Sequence, residues 1–315
     1  MIGRSTLSRT FLLPLGALVL TSSASLAEPS SIQGDAAGAC TQSSMAAYQS
    51  AVRQAKADYW LAVGKCLNLS SPVQAMQCMQ QALLDLQEAN ELADDQFEAR
   101  LELCADLGEA PYDPQIDPSQ FVSGVTNPFF PLVPGRTLVY QKQTAEGLEE
   151  VRVTTLAGTR TILGVDCVRV NDVVTLDGVL VEDTEDWFAQ DLLGNVWYMG
   201  EAVQDYENGM LSSLDGSWEA GVDGAKAGIL MQATPVIGET YRLEFLLGEA
   251  EDVATVERLN RKVMVPAGTF SGCRETEDET PLEPDVEEQK FYAPDIGLVL
   301  EVNADGERLE LVAIL

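Results

Sequence analysis

Histidine is absent from all 315 residues, and cationic side chains are few. Nineteen Lys and Arg stand against 50 Asp and Glu, a formal charge of −31. Without His there is no Ser-His-Asp or Cys-His catalytic arrangement and no His-ligated metal. A charge this negative repels phosphate backbones, which excludes nucleic-acid binding through a basic surface. Long apolar runs are also missing. The stretch Phe11 to Leu20 is too short for the roughly 20 residues a membrane-spanning helix needs. What is present is a hydrophobic content of 46%, enough for a real core rather than a disordered acidic tail.

Residues 1–27 read as a secretory signal. Arg4 and Arg9 give a basic start, the Phe11 to Leu20 run follows, and Ser25-Leu26-Ala27 is a small-x-small cleavage site. No later segment approaches transmembrane length. The expected product is an exported protein, periplasmic or secreted, in an oxidising compartment. An uncleaved anchor is the alternative.

The cysteines describe the next segment, 28–108. Cys40, Cys66, Cys78 and Cys104 are spaced with equal outer intervals. Apolar positions at Met45, Tyr48, Val52, Ala55, Tyr59, Ala62 and Cys66 alternate in steps of three and four, a helical stripe. Met76, Met79, Leu83, Leu86, Ala93, Phe97, Leu101 and Cys104 repeat it. Ser71 is an N-cap with Gln74 completing a capping box, Pro72 suits the first helical position, and Gly108 stops the helix. Two such helices joined at 68–71 lie antiparallel. If Cys66 faces Cys78 near the turn, equal rise along both helices brings Cys104 opposite Cys40. The predicted pairs are therefore Cys40–Cys104 and Cys66–Cys78. Acidic residues from Asp85 to Asp106 form a solvated face or a docking surface for a basic partner or for cations. Trp60, Leu61, Leu84 and Leu92 lie off the main stripe and imply a second apolar face packed on the rest of the chain or on another copy.

Residues 109–135 hold six prolines and read as an extended linker, tacked down by Phe121, Val122, Phe129 and Phe130. After Arg136 the period changes from 3.6 to 2. Candidate strands are 137–143, 149–157, 167–176, 179–190, 196–206, 240–247, 251–259, 261–265, 272–279, 286–292, 297–303 and 307–313. Asp177-Gly178, Asn208-Gly209, Asp305-Gly306 and Gly194-Asn195 mark hairpin turns. The fold class is thus α+β: a disulfide-stapled antiparallel helical hairpin, then a mostly antiparallel β domain over 136–315, as a curved sheet, barrel or sandwich. Cys167 and Cys273 lie in or beside strands. A cross-strand or cross-sheet disulfide is expected, with two buried thiols as the alternative.

Several phrases in the β region resemble a family of exported bacterial proteins. These are Asn127-Pro128-Phe129-Phe130-Pro131-Leu132-Val133-Pro134-Gly135; Trp187-Phe188-Ala189-Gln190-Asp191; Gly194-Asn195-Val196-Trp197-Tyr198-Met199-Gly200-Glu201; Val265-Pro266-Ala267-Gly268-Thr269-Phe270; and Phe291-Tyr292-Ala293-Pro294-Asp295-Ile296-Gly297-Leu298-Val299. The resemblance covers roughly residues 111–303. It implies a shared β-rich domain and brings no assigned activity, cofactor or catalytic residue.

Candidate chemistry is confined to carboxylates. The Gly-rich stretch 209–228 has little periodicity and reads as a long loop, where Trp218, Glu219 and Asp223 could stack on a sugar or hold a cation. Glu182, Asp183, Glu185 and Asp186 share one strand, with Glu182 and Asp186 on one face. The acid-rich stretch Glu275 to Glu288 admits a loose calcium site, although no EF-hand spacing is present; no other cofactor is implied. The favoured reading is an exported, non-catalytic binding or envelope-associated protein whose partner is a small molecule, a glycan or an envelope component. The alternatives are a carboxylate-based hydrolase acting on glycans and a calcium-stabilised structural protein.

Overall fold

The computed structural model describes residues 38–315. The expected signal peptide lies outside the described residues.

Two long helices, α1 (Ala39–Leu67) and α2 (Pro72–Leu107), form the antiparallel hairpin. Ser71 caps α2: the Gln74 backbone N–H donates to its Oγ at 3.4 Å. Pro72 occupies the first turn, and Gly108 follows the last with φ 84°. Both predicted disulfides are present, Cys40–Cys104 and Cys66–Cys78, with Cα–Cα distances of 5.7 and 5.5 Å. Between them the buried side chains are mostly small, such as Ala55, Ala82 and Ala93. The hairpin therefore has little core of its own. Among the described residues nothing covers the second apolar face: Trp60 and Leu61 are 61% and 60% exposed, and Leu84 and Leu92 are exposed too.

The strands are β1 (Phe121–Val122), β2 (Thr137–Gln143), β3 (Leu148–Ile162), β4 (Val165–Leu176), β5 (Val179–Asp191), β6 (Val196–Ala202), β7 (Asp205–Glu207), β8 (Met210–Ser213) and β9 (Trp218–Glu219). They continue as β10 (Lys226–Met231), β11 (Thr240–Arg242), β12 (Glu244–Phe245), β13 (Val253–Val265), β14 (Gly268–Glu279), β15 (Glu287–Ala293), β16 (Gly297–Asn303) and β17 (Arg308–Ile314). The antiparallel ladder runs from β13 through β17, then to β2, through β6, and on to β10. Segment 240–245 closes the seam, since β12 pairs with β10 while β11 pairs with β13. The result is a nearly closed barrel, which leaves few free sheet edges. Close approach at the seam depends on Gly228, where a Cβ would lie 2.2 Å from the Leu243 carbonyl oxygen.

Turn chemistry sets the register. Asp177 and Gly178 both have positive φ, 49° and 80°, as do Asn208 and Gly209, at 52° and 75°. That matches the two-residue turns whose twist suits antiparallel neighbours. The 209–228 stretch differs from the expected loop. It contains β8, β9 and the start of β10. Two-residue strands have no readable period, and β10 is buried along most of its length, so it lacks alternation.

Cys167 and Cys273 are both free and fully buried, which corrects the expected third disulfide. They lie on β4 and β14. Neither strand pairs with the other; β4 lies between β3 and β5, and β14 between β13 and β15. Each thiol is a core side chain. Burial pushes the Cys167 thiol up to about 12, which keeps it protonated and inert at neutral pH.

The linker is strapped to the barrel. Its β1 pairs with the end of β5, and the Gln190 carboxamide oxygen accepts from the backbone N–H groups of Thr126 and Asn127, both at 2.7 Å. Among the described residues the hairpin is held by a buried ion pair and by Gln96, whose Nε2 donates to the Leu282 carbonyl oxygen at 2.8 Å. Arg100 of α2 meets Glu251 at 2.7 Å, and Arg100 Nε donates to the same carboxylate at 3.0 Å.

Candidate functional site: the barrel interior

Alternation along each barrel strand sends every second side chain inward. On β4 the inward phase is Val168, Val170, Asp172 and Val174, all buried. On β5 it includes Thr184, Asp186 and Phe188. The interior does not fill completely. A small, partly open cavity of about 60 Å³ lies between β2–β5, β10 and β14–β16. Its walls are mainly apolar: Leu138, Val153, Val170, Phe188, Leu230 and Leu298 line it. The linker residues Phe130, Pro131 and Leu132 also contribute.

The charged groups in this wall fall into three sets. Lys290 sits among carboxylates, with Nζ 3.0 Å from Glu288, 3.2 Å from Asp278 and 3.8 Å from Glu301. Burial alone would pull the ammonium's pKa down, but its three carboxylates outweigh that and hold it well above the ordinary value. Arg136 spends its guanidinium on backbone carbonyls, those of Pro131, Asp295 at 3.2 Å and Ile296 at 3.0 Å. The third set is acidic. Asp172 and Asp186 are each 2% exposed. Tyr198 donates its hydroxyl to Asp186 at 2.6 Å, and its ring stacks on Phe188 at 4.8 Å between centroids. Asp172 Oδ1 is buried without a hydrogen-bond partner. In the ladder Asp172 faces Val153 on one side and Thr184 on the other, with Asp186 opposite neighbouring Val170. Burial, reinforced by the charge of Asp186, holds the Asp172 carboxyl well above the usual carboxylate range. Burial raises Asp186 as well.

The residues singled out from the Gly-rich stretch lie elsewhere. Trp218 is 4% exposed on β9 and meets Tyr198 edge-on at 5.2 Å, so its ring belongs to the core. Glu219 pairs with Arg160, whose guanidinium also lies 3.8 Å over the Trp187 ring. Asp223 is exposed in a turn, with φ 50°. None of the three lines the cavity. The 182–186 cluster divides as its alternation implies. Glu185 pairs with Arg169, whereas Asp186 turns inward. Within the acid-rich stretch, Glu275 pairs with Arg261 at 2.9 Å, and Asp278 and Glu288 surround Lys290. Among the described residues no three acidic or cysteine side chains are grouped so as to hold a metal ion.

Sequence reasoning passed over Asp172. The signal that marks it is its phase, because it falls on the apolar register of β4 between Val170 and Val174.

No protein-family model matches the chain, and no curated protein matches it. Two solved structures are similar. One is a protein from Bacteroides fragilis described as exported and as having a YmcC-like fold, 17% identical, with a TM-score of 0.36. The other is a protein from Parabacteroides distasonis described as a lipoprotein, 14% identical, with a TM-score of 0.33. Each covers 59% of this chain and 98% of its own. Among the described residues no helix is long and apolar enough to cross a membrane.

Proposed function

We propose that this chain is an exported binding protein that takes a small, largely apolar ligand into its β barrel. The observation that carries this reading is the partly open interior cavity with apolar walls. Concave, mostly apolar sites with a few convergent polar groups are the usual form of small-molecule pockets. Two disulfides support maturation in an oxidising compartment outside the cytoplasm, periplasmic or extracellular. A glycan hydrolase working from Glu219 and Asp223 is the weaker reading, since Glu219 already holds Arg160 and Asp223 sits on an exposed turn.

The test uses N-phenyl-1-naphthylamine, a neutral probe that fluoresces in apolar surroundings. The reading expects saturable binding at one probe per protein. Absence of saturable binding would remove the basis for it.

A further inference from the structure

One carboxyl of the cavity wall has an oxygen without a hydrogen-bond partner, Asp172 Oδ1. Asp172 and Asp186 project inward from adjacent strands, and both are almost wholly buried. Each basic group of the wall is already committed, Lys290 to three carboxylates and Arg136 to carbonyl oxygens. Asp186 receives the Tyr198 hydroxyl, but Asp172 Oδ1 has no hydrogen-bond partner. A buried carboxylate in this state is costly, and removing water strengthens the repulsion between two of them. The ordinary remedy is protonation, which leaves a destabilising polar group in an apolar wall. The other remedy is a cation that arrives with the ligand.

We infer that the cavity selects an amphiphile carrying an ammonium group, with its alkyl or aryl body against Leu138, Val170 and Leu298 and its N–H donors on Asp172. This rests on the barrel-interior reading above. The geometry suits it. Asp172 lies on the same inward phase as the apolar wall residues of β4, and Val153 lies opposite it on β3. An ammonium seated there meets an acceptor already stripped of water, so the hydrogen bond it makes is charge-assisted. An alcohol of equal length gains a weaker bond, and a carboxylate is repelled.

Asp172 as a mere packing residue makes the opposite prediction about stability. If its carboxyl were a needed part of the core, replacing it would weaken the fold. If it is kept for a ligand, Asp172→Asn removes a buried acid and leaves the ligand-free protein as stable or more stable at neutral pH.

The experiment measures displacement of N-phenyl-1-naphthylamine from the exported protein by decylamine, decanol and decanoate at about pH 7.5. Decylamine is expected to displace the probe at a concentration at least about tenfold lower than decanol, with decanoate weakest. In Asp172→Asn the probe still binds, the amine advantage collapses to about twofold or less, and the melting temperature is unchanged or higher. Saturable probe binding with the three competitors ranked equally overturns the ammonium inference and leaves the cavity reading standing. No probe binding overturns both. If Asp172→Asn does not fold, the packing role is shown and the inference fails. An amine preference that survives in a folded Asp172→Asn also contradicts it.

Discussion

The hairpin and the barrel solve the same problem in opposite ways. The barrel closes its ladder and turns its apolar side chains inward, around Tyr140, Phe188, Tyr198 and Leu311. The hairpin has no such interior. Its buried residues are few and small, and it leaves Trp60, Leu61, Leu67, Val73 and Met76 facing outward. Two covalent links do for the helices what closure does for the strands. Stability in one region is thus a matter of cross-links, and in the other of packing.

Breaking a cross-link should separate the regions most sharply. Cys40→Ser with Cys104→Ser opens a span of 64 residues, for which loop-closure entropy gives about 4 kcal/mol. Helical circular dichroism and protease resistance of residues 39–107 should fall, while the melting of the barrel shifts little. Equal loss in both regions would show that the hairpin is integral to the barrel's stability.

Arg100→Ala should come next. It strands Glu251, which is almost fully buried, at a cost of about 3 kcal/mol. The double change Arg100→Met with Glu251→Leu should recover most of that, as read by chemical denaturation. A single variant as stable as the parent would mean that the ion pair does not fasten the hairpin.

The pH response should come from the barrel. Burial raises Asp172, Glu182, Asp186 and Asp278, and lifts Glu301 to about 8. Each folded carboxyl therefore binds its proton more tightly than the same group in the unfolded chain. The folded state holds the extra protons between the ordinary carboxylate value of about 4 and the raised one, so stability falls as pH climbs through that window. Glu185, lowered chiefly by its hydrogen bond to Arg169, works the other way but is partly exposed and screened. Lys290 stays charged throughout this range. Melting temperature should rise on going from about pH 7.5 to about pH 5, by on the order of 2–4 °C per kcal/mol gained. A fall over that range would contradict the burial account.

The smallest effect belongs to the outer face of the hairpin. Trp60→Ser and Leu61→Ser remove exposed side chains and should change stability by no more than about 0.5 kcal/mol in a thermal melt. A larger loss would mean that this face is covered in solution.

The same contrast explains what the sequence makes readable. In the hairpin, equal cysteine intervals on two helices fix the register, so both disulfides follow from spacing. In the barrel, Asp177-Gly178 and Asn208-Gly209 announce their turns, and strands such as 137–143 and 297–303 stand out as short apolar runs rather than by alternation. The cavity is not legible, because its wall is assembled from strands far apart in the chain and depends on barrel closure. Cys167 and Cys273 mislead because parity suggests a pair, while the fold leaves both thiols free in the core. Trp218 and Glu219 look like loop residues because β9 is too short to show a period.

Under the proposed function the apolar surface open to a ligand is the one inside the barrel, not the one on the hairpin. Titration of N-phenyl-1-naphthylamine into two variants tests it directly. Val153→Trp fills the cavity from the wall position beside Asp172, and Trp60→Ser strips the most prominent side chain from the helices. The account predicts that Val153→Trp weakens probe binding by at least about tenfold while Trp60→Ser leaves it unchanged. The reverse pattern would place the binding surface on the hairpin and contradict the account.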